Sequence, residues 1–159
     1  MGAIFRWVKR IFNSIIYSDN IVYSVYPVTA GKQTAGKAIP SKAAANEWGS
    51  WTPVIAIGDI TTEFWYVGTQ LFSVGVAGED GAVQIGYTDG TGPPPALKRQ
   101  IDEIEWRKFT AVDTDLGMPL SRVPYPVRLP AKAEVSARSA TLNAASKNVT
   151  ISIKVATGL

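Results

Sequence analysis

Residues 149–155 read Val-Thr-Ile-Ser-Ile-Lys-Val, and residues 133–138 read Ala-Glu-Val-Ser-Ala-Arg. In each run apolar and polar side chains alternate one for one. That is the period of a β-strand with one face in a core, because successive side chains on a pleated strand point to opposite sides. Working outward, the rest of the chain after Trp48 has the same texture of short apolar stretches cut by turn residues. Strands are expected at Trp51–Ile57, Thr62–Val67, Gln70–Val76, Ala82–Thr88, Ile104–Val112, Val123–Leu129, Lys132–Arg138 and Val149–Val155. Gly58-Asp59, Gly78 to Gly81, Asp89 to Gly92 with three following prolines, and Leu116 to Pro119 supply the breaks between them. About eight strands without a recurring helical period predict an all-β chain, an antiparallel β-sandwich of jelly-roll type. Leu97, Ile101 and Ile104 also satisfy helical spacing, so a short helix over Ala96–Glu105, opened by Pro95, is a local alternative.

Composition narrows the function classes. The 159 residues include no cysteine and no histidine. This removes Cys/His zinc sites, disulfides, thiol nucleophiles and every triad that needs an imidazole. Charged residues make up 18% of the chain, below the roughly 25% of an average soluble domain. With fourteen glycines and ten prolines, the composition suits a turn-rich body that covers part of its surface against a partner. No apolar run approaches the roughly 20 residues needed to span a bilayer. The start of the sequence lacks the charged-then-apolar order of a secretory signal, and Arg6 stands where a myristoylation pattern needs Ser or Thr.

The first 46 residues read differently. Ile4, Val8, Ile11, Phe12 and Ile15 recur at three- and four-residue spacing, with Arg6, Lys9, Arg10 and Asn13 opposite them and Phe5 and Trp7 flanking the apolar stripe. This predicts a short basic amphipathic helix over 3–17. About fifteen residues are marginal as a helix in water, so its apolar face must rest on its own domain, a neighbouring subunit or a membrane surface. Residues 21–28 read as a strand ending near Pro27. Residues 29–46, TAGKQTAGKAIPSKAAAN, lack aromatics and any sustained period, and read as an extended arm or a long surface loop. The expected division is an anchor over 1–46 and a β-sandwich domain over 47–159.

Charge is segregated along the chain. Residues 1–46 hold six basic groups and one acid, residues 47–121 four basic and eleven acidic, and residues 122–159 six basic and one acidic, so +5, −7 and +5 give the net +3. The acidic middle and the lack of basic runs argue against nucleic acid as a partner. Opposite charge on opposite ends or faces suits layered or head-to-tail assembly.

Candidate chemistry is sparse. Gly75 to Gly81 lacks the glycine spacing and the Lys-Ser/Thr of a phosphate loop and precedes a strand, so it reads as a turn. Asp102, Glu103 and Glu105, with Asp113 and Asp115 after them, read as a solvated acidic edge rather than a glycosidase pair, and no EF-hand spacing surrounds Glu79, Asp80 and Asp89. No catalytic, cofactor-binding or metal-ligating set emerges. The aromatic residues after Trp48 are mainly core, but in Phe64-Trp65-Tyr66 alternation forces at least one ring to the opposite face, where it is able to stack on a sugar or anchor an interface.

Trp48-Gly-Ser-Trp51-Thr-Pro-Val-Ile-Ala, Val74 to Glu79, Gln84-Ile-Gly, Tyr125-Pro-Val-Arg-Leu-Pro-Ala131 with Ser136-Ala-Arg138, and the Val149-Thr-Ile-Ser-Ile strand together resemble the small β-sandwich virion proteins of tailed bacteriophages, of the head-decoration and head-fibre kind. The resemblance covers residues 48–156, and Lys132 stands where that pattern has glycine after Pro-Ala. It implies a non-enzymatic virion structural protein, a capsid decoration or minor capsid component without a cofactor. Its partners would be capsid or tail subunits and further copies of itself, as in a closed trimer. Ile4, Phe5, Arg6, Trp7, Val8, Lys9, Arg10, Ile11, Phe12 and Ile15 are the expected anchor, with a membrane surface as the alternative contact. The competing function is a carbohydrate- or receptor-binding tail or fibre module.

Overall fold

The computed structural model of the chain describes residues 21–28, 36–74, 80–89, 99–107, 126–142 and 148–158. Nine strands occupy them: β1 (Val22–Tyr26), β2 (Lys37–Pro40), β3 (Thr52–Ile55), β4 (Phe64–Val74), β5 (Asp80–Thr88), β6 (Arg99–Arg107), β7 (Val127–Leu129), β8 (Glu134–Thr141) and β9 (Asn148–Thr157). The described residues are all-β, with every pairing among them antiparallel, in two sheets. In the first sheet β9 pairs on one side with β4, which also pairs β7, and on the other side with both β1 and β2. The second sheet runs β3-β8-β5-β6.

The alternating run of β9 sits at the centre of the first sheet, with Val149, Ile151, Ile153 and Val155 fully buried and Lys154 exposed. Their counterparts in the second sheet are Val83 and Ile85 on β5, Ile104 on β6, and Val135 and Ala137 on β8. One hydrophobic cluster takes in residues of both sheets. Polar links join the sheets as well. Tyr66 Oη on β4 donates to Asp102 Oδ2 on β6 at 2.5 Å, and Ser139 Oγ on β8 donates to the Ile39 carbonyl on β2 at 3.1 Å.

Bulges account for most differences from the expected elements. Of the stretches read as separate strands over 62–67 and 70–76, residues 64–74 form the single strand β4, whose register against β9 shifts between Tyr66 and Gly68 and between Leu71 and Ser73. Each shift puts one extra residue into β4 and reverses the inward parity, so Tyr66 and Leu71 both reach the core although five positions separate them. The alternative helix over Ala96–Glu105 is corrected for residues 99–105, which are strand. Between Ile85 and Gly86 the partner on β6 steps from Asp102 to Gln100, leaving Ile101 as the bulged residue. Ile101 and Ile104 therefore both pack on the core at a three-residue spacing that imitates a helix.

The arm expected over 29–46 is corrected from Lys37 onward. Lys37–Pro40 pairs with Ile151–Asn148, and Ile39 is fully buried. The segment has only one bulky aliphatic residue, but pairing to β9 places it in the core, and Pro40 is tolerated at the strand's end, where its missing N–H costs no ladder bond. Beyond it the backbone follows β8: Asn46 N–H donates to the Thr141 carbonyl at 2.8 Å and Gly49 N–H to the Ser139 carbonyl at 2.9 Å. A Cβ on Gly49 would lie 2.3 Å from the Pro40 carbonyl oxygen, so only glycine permits this approach. The expected helix over 3–17, residues 29–35 and most of the turn segments lie outside the described residues.

Candidate functional site

The side of the second sheet that faces away from the core has an ordered arrangement of polar and aromatic side chains. On β5, Ala82 and Gln84 alternate with the buried Val83 and Ile85 and so point outward. Register then places two rows across the sheet. Ala82 pairs with Glu105 on β6 and Ala140 on β8, while Gln84 pairs with Glu103 and Arg138. The hydrogen bonds of Asn46 and Gly49 to β8 set Trp48 beside Ala140 at the end of the first row. Trp51, just before Thr52, which pairs with Ala137, ends the second row.

The second row is a continuous polar chain. The Arg138 guanidinium lies over the Trp48 ring at 5.1 Å and the Trp51 ring at 4.7 Å, and its Nε donates to Gln84 Oε1 at 2.8 Å. Gln84 Nε2 donates to Glu103 Oε2 at 2.7 Å, and Gln100 Nε2 donates to the same oxygen at 3.1 Å. Two indoles and an amide thus hold the cation, and the amide passes its field on to a carboxylate without a direct ion pair.

The first row floors a trough. Its volume is about 650 Å³, and Asn46, Trp48, Asp80, Ala82, Glu105 and Ala140 line it together with Trp106 and the end of β8. The floor is low because Ala82 and Ala140 are small. At its inner end Trp106 is 4% exposed and packs over Gly81, where an added Cβ would lie 2.4 Å from the ring. The Trp106 indole N–H is buried without a hydrogen-bond partner.

The expected solvated acidic edge holds for Glu105, which is exposed, but not for Asp102. Asp102 is 3% exposed, faces the core, and accepts from Tyr66 Oη and from the Glu103 amide at 2.8 Å. Phe64 and Tyr66 are buried, and Trp65 turns to the opposite face under Arg128 at 5.9 Å, the split that alternation requires. Arg128 also pairs with Glu63. Beyond Trp65, the small Ala156 separates it in register from Tyr23, whose ring Lys154 covers at 5.0 Å. The anchor residues Ile4, Phe5, Arg6, Trp7, Val8, Lys9, Arg10, Ile11, Phe12 and Ile15 lie outside the described residues. The trough depends on which strands become neighbours, which no local sequence pattern encodes; Trp48 and Trp51 flanking a Gly-Ser pair are its visible sign in the sequence.

Among the described residues no group of three carboxylates is placed to hold a metal ion, and no helix is long and apolar enough to cross a membrane. No family model matches the chain, and neither a curated protein nor a solved structure matches it.

Proposed function

We propose that this chain is a non-enzymatic structural protein of a tailed-phage virion: a jelly-roll-like sandwich, serving as capsid decoration or minor capsid component, that docks through residues 1–20. The sequence resemblance supplies the class, and the distribution of charge between the sheets supports the assembly role. Strands of the first sheet carry three basic residues, Lys37, Arg128 and Lys154, and no acidic one. Strands of the second carry five acidic residues, Asp80, Asp102, Glu103, Glu105 and Glu134, against three basic, Arg99, Arg107 and Arg138. By count the first sheet's strands are thus +3 and the second's −2, or −1 once the core-facing Asp102 is left out. Complementary faces of this kind orient neighbouring subunits, including copies of the same chain in a closed ring or trimer, and reject reversed packing.

The docking segment would leave the body at β1, an edge strand whose first residues, Val22 and Tyr23, are 57% and 58% exposed. Apolar side chains exposed beside a basic amphipathic stretch favour a protein surface as the contact. Replacing Ile11 and Phe12 with Asp should reduce the copy number on particles severalfold, whereas Asn13→Asp on the opposite face should leave it near wild type. Occupancy can be read by densitometry of purified particles. Equal occupancy of both variants would overturn docking by the apolar face.

A second reading, a glycan-binding module on the particle, is favoured by the tryptophan-walled trough of the second sheet.

A further inference from the structure

We infer that the trough bordered by Trp48, Glu105, Asp80 and Asn46 is a binding site for a neutral saccharide of one or two pyranose units. The inference deepens the glycan-binding reading and rests on it.

Size comes first. A volume of about 650 Å³ lies within the roughly 300–1,000 Å³ typical of small-molecule sites. The shape follows from sequence. Ala82 and Ala140 sit side by side in register, and two small floor residues between Trp48 and Glu105 leave a channel that any larger side chain would fill.

The lining matches a sugar ring, which has an apolar C–H face and a rim of hydroxyls. Trp48 supplies a flat apolar wall. That wall is pre-positioned, since the Arg138 guanidinium stacks on it and is itself fixed by Trp51 and Gln84. Little side-chain freedom is then lost when a ligand binds. Across the row from the indole Glu105 supplies acceptors, and elsewhere in the lining Asp80 adds further acceptors and Asn46 an amide, the groups that hydroxyl donors require.

The charge of the lining selects among sugars. Two carboxylates face the trough, Glu103 lies in the next row, and Arg138 is already engaged by two rings and an amide. Sialic and uronic acids would bring a third negative charge against Asp80 and Glu105, so the site favours uncharged sugars over acidic ones.

The test is titration of the full chain with lactose, maltose, chitobiose and 3′-sialyllactose, followed by saturation-transfer NMR and tryptophan fluorescence. Binding of at least one neutral disaccharide is expected, with sialyllactose at least tenfold weaker than lactose or not bound. Trp48→Ala should weaken the neutral ligand at least tenfold. Because that change also disturbs the Arg138 stack, Ala82→Leu and Glu105→Ala serve as second variants: both positions face outward, and each should weaken binding without moving the urea midpoint. Tyr23→Ala, on the first sheet, should leave binding unchanged. If a saccharide binds but depends on Tyr23 and not on Trp48 or Ala82, or if sialyllactose is preferred, the site inference is wrong while the glycan reading stands. If no saccharide binds at millimolar concentration, both are wrong.

Discussion

Asp102 and Lys132 show how single residues carry this fold. The Asp102 carboxyl sits in the core between the sheets and takes its hydrogen bonds from the Tyr66 phenol and the Glu103 amide. Removing the phenol leaves a buried carboxylate short of a donor, so Tyr66→Phe should lower unfolding free energy by about 1.5–3 kcal/mol in urea titrations. Nothing in Ile-Asp-Glu-Ile-Glu marks this aspartate as different from its neighbours. Only the register of β6 against β5 turns it inward, which is why the segment reads as an acidic edge. Lys132 is the reverse case. Its φ is 61°, and the Ala133 N–H closes a turn onto the Pro130 carbonyl at 3.3 Å, an arrangement in which glycine is the usual residue. The glycine of the resembling pattern is therefore physically apt, and Lys132→Gly should raise stability, by no more than about 1 kcal/mol once the added chain entropy is counted. Tyr26 gives a pH signature. Partial burial, and second the Asp59 carboxylate, hold its phenol above the ordinary 10.0. The fold thus favours the neutral phenol. That contribution is complete below pH 10 and is lost as pH rises through the folded value, so stability should fall on the alkaline side, and less steeply in Tyr26→Phe. Urea midpoints from about pH 8 to pH 11 measure the difference.

At the scale of elements, bulges decide what the sequence reveals. β9 runs through 149–155 without interruption, and its alternation is plain on the page. β4 carries two register shifts and β6 one, each of which breaks the two-residue period, so the first reads as two strands and the start of the second admits a helix as an alternative. β2 shows a different limit. A strand with a single buried side chain has no periodic signal of its own, and its place is set by the exposed edge of β9. This has a consequence for truncation. A chain of residues 21–159 should keep the cooperative unfolding of the full protein. A chain of residues 47–159, cut where composition suggests a boundary, loses β1, β2 and the buried Ile39 and strips one side of β9. It should unfold at markedly lower urea or not fold at all; circular dichroism during urea titration distinguishes the two.

For the whole molecule, the charge blocks seen along the sequence become two sheets of opposite sign, because the acidic middle contributes β5 and β6 to one sheet while the basic flanks contribute β2, β7 and β9 to the other. The existence of two charged surfaces was legible from counting; their assignment to sheets was not, since β8 and β9 come from the same basic segment and go to different sheets. This polarity, together with an edge strand that follows directly on residues 1–20, underlies the proposal that the body is complete from β1 onward and the preceding segment is its means of attachment. The most direct test is the copy number of the 21–159 chain on particles assembled in its presence, after its fold has been verified. The account predicts a folded body that is absent from the particles. Incorporation at the occupancy of the full chain would contradict it.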